Sequence, residues 1–193
     1  MAFDHNDHYH PLLLRQVPPG AALALDVGCG TGLFARRLAA RGMTVDAVDP
    51  AEEVIEAAPR TTGVRYVHDD ITTMDLPEAH YDFISCLASL HHVPFGTVSR
   101  LRAALAPGGV LAVLGCYRES TAGDHLTTLA ASPVNAVARL ALSGRRSSSP
   151  VRAPVKQPVM TLDEVREQAA ALLPGARIRR LLFWRYLLVS RTD

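Results

Sequence analysis

The first half of the chain alternates short apolar runs with helical patterns. Ala22–Val27 is an apolar run that carries Asp26 near its end and opens into a glycine cluster. Thr31–Arg41 follows at helical spacing, with Leu33, Phe34 and Leu38 as its apolar stripe and Gly42 suited to its C-cap. Thr44–Val48 predicts a second strand. Ala51–Ala58 predicts a helix, since it follows Pro50, carries Glu52 and Glu53 in its first turn and stops before Pro59. Val64–Val67, Tyr81–Leu87 and Val110–Gly115 read as further strands. Thr97–Leu105 reads as a helix that ends at the Pro107-Gly108-Gly109 turn signal. Strands alternating with helices imply right-handed crossovers and a parallel sheet. The apolar runs are near-continuous, which a sheet covered on both faces requires.

Beyond Gly115 the pattern changes. His125–Leu142 is an apolar helical stretch, and Ser143–Pro158 is a polar loop rich in Ser and Pro. Thr161–Ala171 predicts a helix with a capping box, because Glu164 stands three residues after Thr161. Arg177–Phe183 and Tyr186–Ser190 predict two last strands joined by a very short link around Trp184-Arg185, hence an antiparallel hairpin.

Composition narrows the class of protein. The 193 residues fit one domain, and 48% hydrophobic content is ordinary for a globular chain. Twenty Lys and Arg against nineteen Asp and Glu leave a charge of +1, which argues against a global footprint for nucleic acid. Cys29, Cys86 and Cys116 are odd in number and widely spaced, so neither a disulfide framework nor a zinc ribbon is expected. A reduced cytoplasmic setting follows. No apolar run reaches the length of a membrane span, and the first residues lack the pattern of a signal peptide.

The segment with chemistry is Leu25-Asp26-Val27-Gly28-Cys29-Gly30-Thr31-Gly32. Its glycines let the backbone turn sharply and approach a ligand. The helix behind it presents unpaired N–H groups. The spacing is GxGxG preceded by an acid, not the GxGxxG of dinucleotide binders. Asp49 closes the second strand 21 residues after Gly28 (49 − 28). An acid there is suited to accept both ribose hydroxyls of an adenosine. The bland alternative is a turn carboxylate ahead of Pro50.

LDVGCGTGLFARRLAARG followed by VDAVDP resembles the first two motifs of the class I S-adenosylmethionine-dependent methyltransferases. VHDDITTMDLP, YDFISCLASLHHVP and LAPGGVLAVLG resemble the later motifs, so the likeness runs through most of the chain and is weakest over 118–160. It implies a Rossmann-like, doubly wound α/β sheet of seven strands in the order 3-2-1-4-5-7-6, with strand seven antiparallel. It implies one domain over 1–193, with 1–20 as an N-terminal cap and 118–160 as an acceptor-side insertion or lid. S-adenosyl-L-methionine is the implied cofactor and S-adenosyl-L-homocysteine the product. The implied cofactor residues are Asp26, Gly28, Cys29, Gly30, Gly32, Asp49, Pro50, Asp70, Ile71 and Leu87. Within that set Asp70 meets the adenine amine, the next backbone N–H meets the ring, and Asp26 acts indirectly by orienting the loop. The implied reaction is in-line methyl transfer to a small organic acceptor, at oxygen or nitrogen. A cofactor-binding fold without methyl transfer and an NAD(P)-dependent oxidoreductase are the alternatives.

Ligands of open α/β sheets bind beyond the carboxyl ends of the strands. Ser89, His91 and His92 follow strand four and lie on that side, and either histidine is a candidate general base. A histidine that only braces the turn is the competing reading. Asp4, His5, His8, Tyr9 and His10 crowd the N-terminus. If Asp7–Arg15 is helical it resembles the pocket cap of the family, with Tyr9 over the cofactor and His5 or His8 toward the acceptor. Pro11 interrupts the pattern, and no helical His pair suggests a metal. The three cysteines follow or end neighbouring strands, but small core residues are the simpler reading. Leu126, Leu129, Val134, Val137, Leu140 and Leu142 offer an apolar wall, and Arg139, Arg145, Arg146 and Arg152 a local basic stretch. The expected partner is a small molecule, with no nucleic acid and no membrane, for a monomer or homodimer.

Overall fold

A computed structural model describes residues 5–118 and 157–193. The helix expected over 125–142, the basic stretch from Arg139 to Arg152, most of the segment 118–160, and Asp4 lie outside the described residues. Helix α1 (His5–Leu14) precedes β1 (Leu23–Val27), α2 (Leu33–Ala39), β2 (Thr44–Asp49), α3 (Glu52–Glu56), β3 (Val64–His68) and β4 (Tyr81–Leu87). A 3-10 turn at Leu90–His92, α4 (Thr97–Ala103) and β5 (Leu105–Cys116) follow. The last elements are α5 (Leu162–Leu172), β6 (Arg177–Arg180) and β7 (Arg185–Arg191).

The strands form one seven-stranded sheet in the order β3-β2-β1-β4-β5-β7-β6. The β1, β2, β3, β4 and β5 pairings are parallel, and β7 runs antiparallel between β5 and β6. This is the expected α/β architecture. An antiparallel strand in that place separates it from the dinucleotide-binding order 3-2-1-4-5-6.

Both faces of the sheet are covered, which explains the unbroken apolar runs. Leu25, Val27, Ile84, Cys86, Leu111 and Val113 face one core, where Val98, Leu101, Val165 and Leu173 of the helical side meet them. Ala24, Phe83, Ala112 and Leu114 face the other, against Leu13 of α1 and Phe34 and Leu38 of α2. Each fully buried Leu, Ile or Phe contributes roughly 1.5–3 kcal/mol relative to an exposed one. The sheet is therefore a rigid base for loops at its carboxyl edge.

Several boundaries differ from the sequence expectation, and four of them bear on the site or the sheet. Helix α2 starts at Leu33, because Gly32 sits in the left-handed region (φ 73) as its N-cap. Strand β5 begins at Leu105, and the Pro107-Gly108-Gly109 signal is a bulge inside it. Tyr81 pairs with Leu105 and Phe83 with Val110, so the β5 residues between are extruded. Thr192 closes that bulge, its hydroxyl donating to Ala106 O at 2.6 Å. Strand β6 ends at Arg180, and the link to β7 holds Phe183 and Trp184 with φ of 59° and 56°. Helix α1 continues through Pro11. The capping box is as expected: Glu164 N donates to Thr161 Oγ1, and Thr161 N donates to Glu164 Oε2 at 2.7 Å.

Candidate functional site

Strand β1 leads directly into the glycine loop, and β2 holds that loop in place. Gly28 N and Cys29 N both donate to Val48 O, at 2.8 and 3.0 Å. Gly30 N donates to Asp49 Oδ2 at 2.8 Å. Gly28, Gly30 and Gly32 all have left-handed φ, which side chains with a Cβ adopt at a cost. Their surroundings differ. A Cβ on Gly28 would lie 2.3 Å from Ser89 Cβ, and one on Gly32 would lie 2.3 Å from the Tyr66 ring. A Cβ on Gly30 would meet nothing within 4 Å. Gly28 and Gly32 are thus required by packing, whereas Gly30 faces open space at the carboxyl edge of the sheet.

Asp26 lies beneath this loop and is 2% exposed. Ser85 Oγ on β4 donates to its Oδ1 at 2.7 Å, and the Ala35 N–H in the first turn of α2 also bonds the carboxylate. Burial is the largest influence and pushes Asp26 up to about 7, against these two donors. Asp26 therefore ties β1, β4 and α2 together under the loop.

Asp49 is buried at the end of β2. Its Oδ1 accepts from Ala51 N at 3.0 Å, so it is a turn carboxylate as well as the partner of Gly30. A carboxylate offers about four acceptor positions, so two remain for other donors. Pro50 is exposed beside it, and its carbonyl lies 3.1 Å from His68 Nε2. Asp69 N donates to Asp49 O, bringing the loop after β3 alongside. In that loop Asp70 is exposed and Ile71 is buried. Asp70 Oδ1 accepts from the amide and the hydroxyl of Thr72, both at 2.8 Å, and these bonds hold the carboxyl below its ordinary range. Leu87 is half-buried at the end of β4.

The residues expected on the acceptor side begin where β4 ends. Ala88 has a φ of 52° and donates its N–H to Leu114 O at 2.7 Å, which turns the chain sharply. Ser89 Oγ then donates to Val27 O at 2.6 Å and packs on Gly28. His91 lines a largely apolar cavity of about 40 Å³ with Leu90, Cys116, Met160 and Tyr186. His92 is exposed, its ring centroid 4.2 Å from that of His91.

Helix α1 packs on the opposite face. Tyr9 is 7% exposed, and its hydroxyl donates to Leu182 O in the β6–β7 link at 3.1 Å. His8 is exposed and meets the Tyr9 ring edge-on. His10 is buried and lies edge-on to Phe34. Cys29, Cys86 and Cys116 are free thiols, each pushed up by burial, and Cys29 further by the Asp26 and Asp49 carboxylates. They behave as small core residues. Among the described residues no cluster of His, Cys, Asp or Glu is arranged to hold a metal, and no helix is long and apolar enough to cross a membrane.

Four contributors were not assigned from the sequence: Ser85, the packing role of Ser89, Tyr66 and Arg100. A serine inside the apolar run YDFISCL is a signal, because a buried hydroxyl needs a partner. Tyr66 and Arg100 carry no such signal, since their contacts are with loops remote in sequence.

Residues 24–109 match the family model described as a methyltransferase domain. The chain is 40% identical over 193 residues to an uncharacterized methyltransferase of Mycobacterium tuberculosis, covering 96% of this chain and 95% of that one. The chain belongs to the methyltransferase family. Its fold is shared with solved members. A structure described as a putative S-adenosylmethionine-dependent methyltransferase from Listeria monocytogenes superposes with a TM-score of 0.67 at 14% identity, covering 98% of this chain and 100% of the other. Phosphoethanolamine N-methyltransferase 2 of Haemonchus contortus, in complex with phosphomonomethylethanolamine and S-adenosylhomocysteine, gives 0.64 at 18% identity. The match covers 89% of this methyltransferase and 38% of that longer chain. At these identities the likeness is one of fold.

Proposed function

We propose that this methyltransferase binds S-adenosylmethionine at the carboxyl edge of β1, β2 and β3 and transfers its methyl group to oxygen or nitrogen of a small organic acceptor in the cytoplasm. The observation that carries this reading is the pairing of Gly30 and Asp49. The Gly30 backbone faces open space, and the carboxylate bonded to it keeps acceptor positions for a ribose. The residues present fit the cofactor: a bare backbone surface, an acid at the end of β2, and the polar Asp70–Ile71 turn beside it.

Bound there, S-adenosylmethionine supplies a methyl group activated by its sulfonium. The chain's part is orientation. Gly28, Cys29 and Gly30 are fixed by Val48 and Asp49, so the loop loses little freedom when a ligand arrives. Holding an acceptor atom at near-attack distance is the main source of rate for such a transfer. His91, in the apolar cavity, is the candidate to take a proton from acceptors that must lose one.

Isothermal titration with S-adenosylmethionine, S-adenosylhomocysteine and NADH tests the reading. The first two should bind and NADH should not. Binding of NADH alone would overturn it. In the same assay Asp49→Ala should weaken S-adenosylhomocysteine by about 1–3 kcal/mol, since it removes the acceptors for two hydroxyls. Unchanged affinity in that variant would remove Asp49 from the ribose role.

A further inference from the structure

Arg100 on α4 stands far in sequence from the turn after β3, yet its guanidinium donates to three backbone carbonyls there. Nη1 donates to Ile71 O at 3.0 Å and to Thr72 O, and Nη2 donates to Met74 O. The turn is otherwise held by few bonds. Thr73 N and Met74 N donate to Asp70 O at 3.0 and 2.7 Å, and Thr72 donates to Asp70 Oδ1. Asp70, Thr72 and Thr73 are polar and exposed or half-buried, while Ile71 is buried and Met74 packs partly buried against the core. Two apolar anchors leave the polar backbone between them to be fixed by hydrogen bonds, and a turn so held opens easily where such bonds are few. A planar guanidinium with five donors in a rigid fork suits that task, where an ammonium is a point charge on a flexible stem.

Two groups on this turn remain uncommitted. Asp70 Oδ2 and the Ile71 N–H make no hydrogen bond among the described residues. They present an acceptor and a donor from consecutive residues, the pair needed to read an amine next to a ring nitrogen. The Arg100 charge also helps to keep Asp70 ionised, after the larger contributions of the Thr72 amide and hydroxyl.

We propose that Arg100 is a positioning residue that fixes the Asp70–Met74 turn so that Asp70 and the Ile71 amide can recognise the adenine amine of the cofactor. This inference rests on the cofactor reading above. It concerns selectivity for the base and not the transfer step, so binding tests it without turnover.

The experiment compares S-adenosylhomocysteine with its deaminated counterpart, in which oxygen replaces the adenine amine. Calorimetry is run on the wild-type chain, Arg100→Met and Arg100→Lys, with a thermal melt of each. The wild-type chain should prefer the amine form by about tenfold or more, as a site built to hydrogen-bond a group rejects its analogue. Arg100→Met should bring that preference close to unity, mainly through loss of affinity for the amine form. Arg100→Lys should fall between, and it serves as the test variant if Arg100→Met does not fold. A variant that stays folded and keeps the wild-type preference overturns the proposal. So does a wild-type chain that binds both compounds equally, an outcome that leaves the cofactor reading standing. A wild-type chain that binds neither overturns both.

Discussion

Gly30→Val should abolish binding of S-adenosylmethionine and S-adenosylhomocysteine while leaving the chain folded. The Gly30 position meets no protein atom within 4 Å of an added Cβ, so a valine there crowds only the space in front of the loop. The cost to the fold is that of a left-handed residue, roughly 1–2 kcal/mol for an L side chain and somewhat more for a branched one. The cost to binding is steric exclusion from the surface a cofactor must touch, an expected loss beyond 100-fold. Gly28→Val supplies the contrast. Its Cβ would fall 2.3 Å from Ser89 Cβ, so the chain must move the turn after β4 to accommodate it. Calorimetry paired with a circular-dichroism melt separates the two, with Gly30→Val folded and unable to bind and Gly28→Val destabilised. Normal cofactor affinity in Gly30→Val would show that the ligand does not approach the loop at this point.

The second large effect is in the pH dependence of stability. Burial holds Asp26 at about 7 in the folded chain, against an ordinary value of 3.8. Between those values the folded state keeps a proton that the unfolded state has released. The contribution of Asp26 to stability is therefore greatest at low pH, declines as pH rises from about 4 to about 7, and is level above that. At about 1.36 kcal/mol for each pH unit, the decline reaches about 4 kcal/mol at most. Asp26→Asn keeps an oxygen that can accept from Ser85 and Ala35 but does not titrate. Urea unfolding of both chains across pH 4 to 8 isolates the effect, because other carboxylates titrate alike in the two. The wild-type stability minus that of the variant should fall through this range. A flat difference would mean that the Asp26 site is better hydrated than its 2% exposure indicates.

The two tests address different properties of one loop. The loop faces open space at Gly30, and its underside is anchored on a carboxylate whose charge is costly to bury. Ser85 and the Ala35 N–H offset part of that cost, and both come from elements that must already be packed.

Much of this organisation was legible in the chain itself. Continuous apolar runs such as Tyr81–Leu87 specify strands buried on both faces, because only a doubly covered sheet has no polar side. The glycine cluster after β1 and the acid ending β2 specify a tight turn closed by a carboxylate, since glycine backbone and carboxylate chemistry are local properties. The capping box of Thr161 and Glu164 was legible for the same reason. Local signals erred where a distant partner changes their meaning. Pro107-Gly108-Gly109 does turn the chain, but its register with β4 and the closure by Thr192 make it a bulge within β5. Phe183 and Trp184 have no turn propensity, yet the antiparallel pairing of β6 and β7 forces both into the left-handed region.

The sequence by itself determined the family, the order of the elements and the glycine turn after β1, because motif spacing and glycine chemistry reside in neighbouring residues. The tertiary structure alone decided which glycine faces open space and which two are filled by Ser89 and Tyr66. It also decided that Asp26 is buried and that Arg100 grips the turn carrying Asp70. These facts depend on side chains meeting across the sheet from positions tens of residues apart, and no local pattern encodes such a meeting.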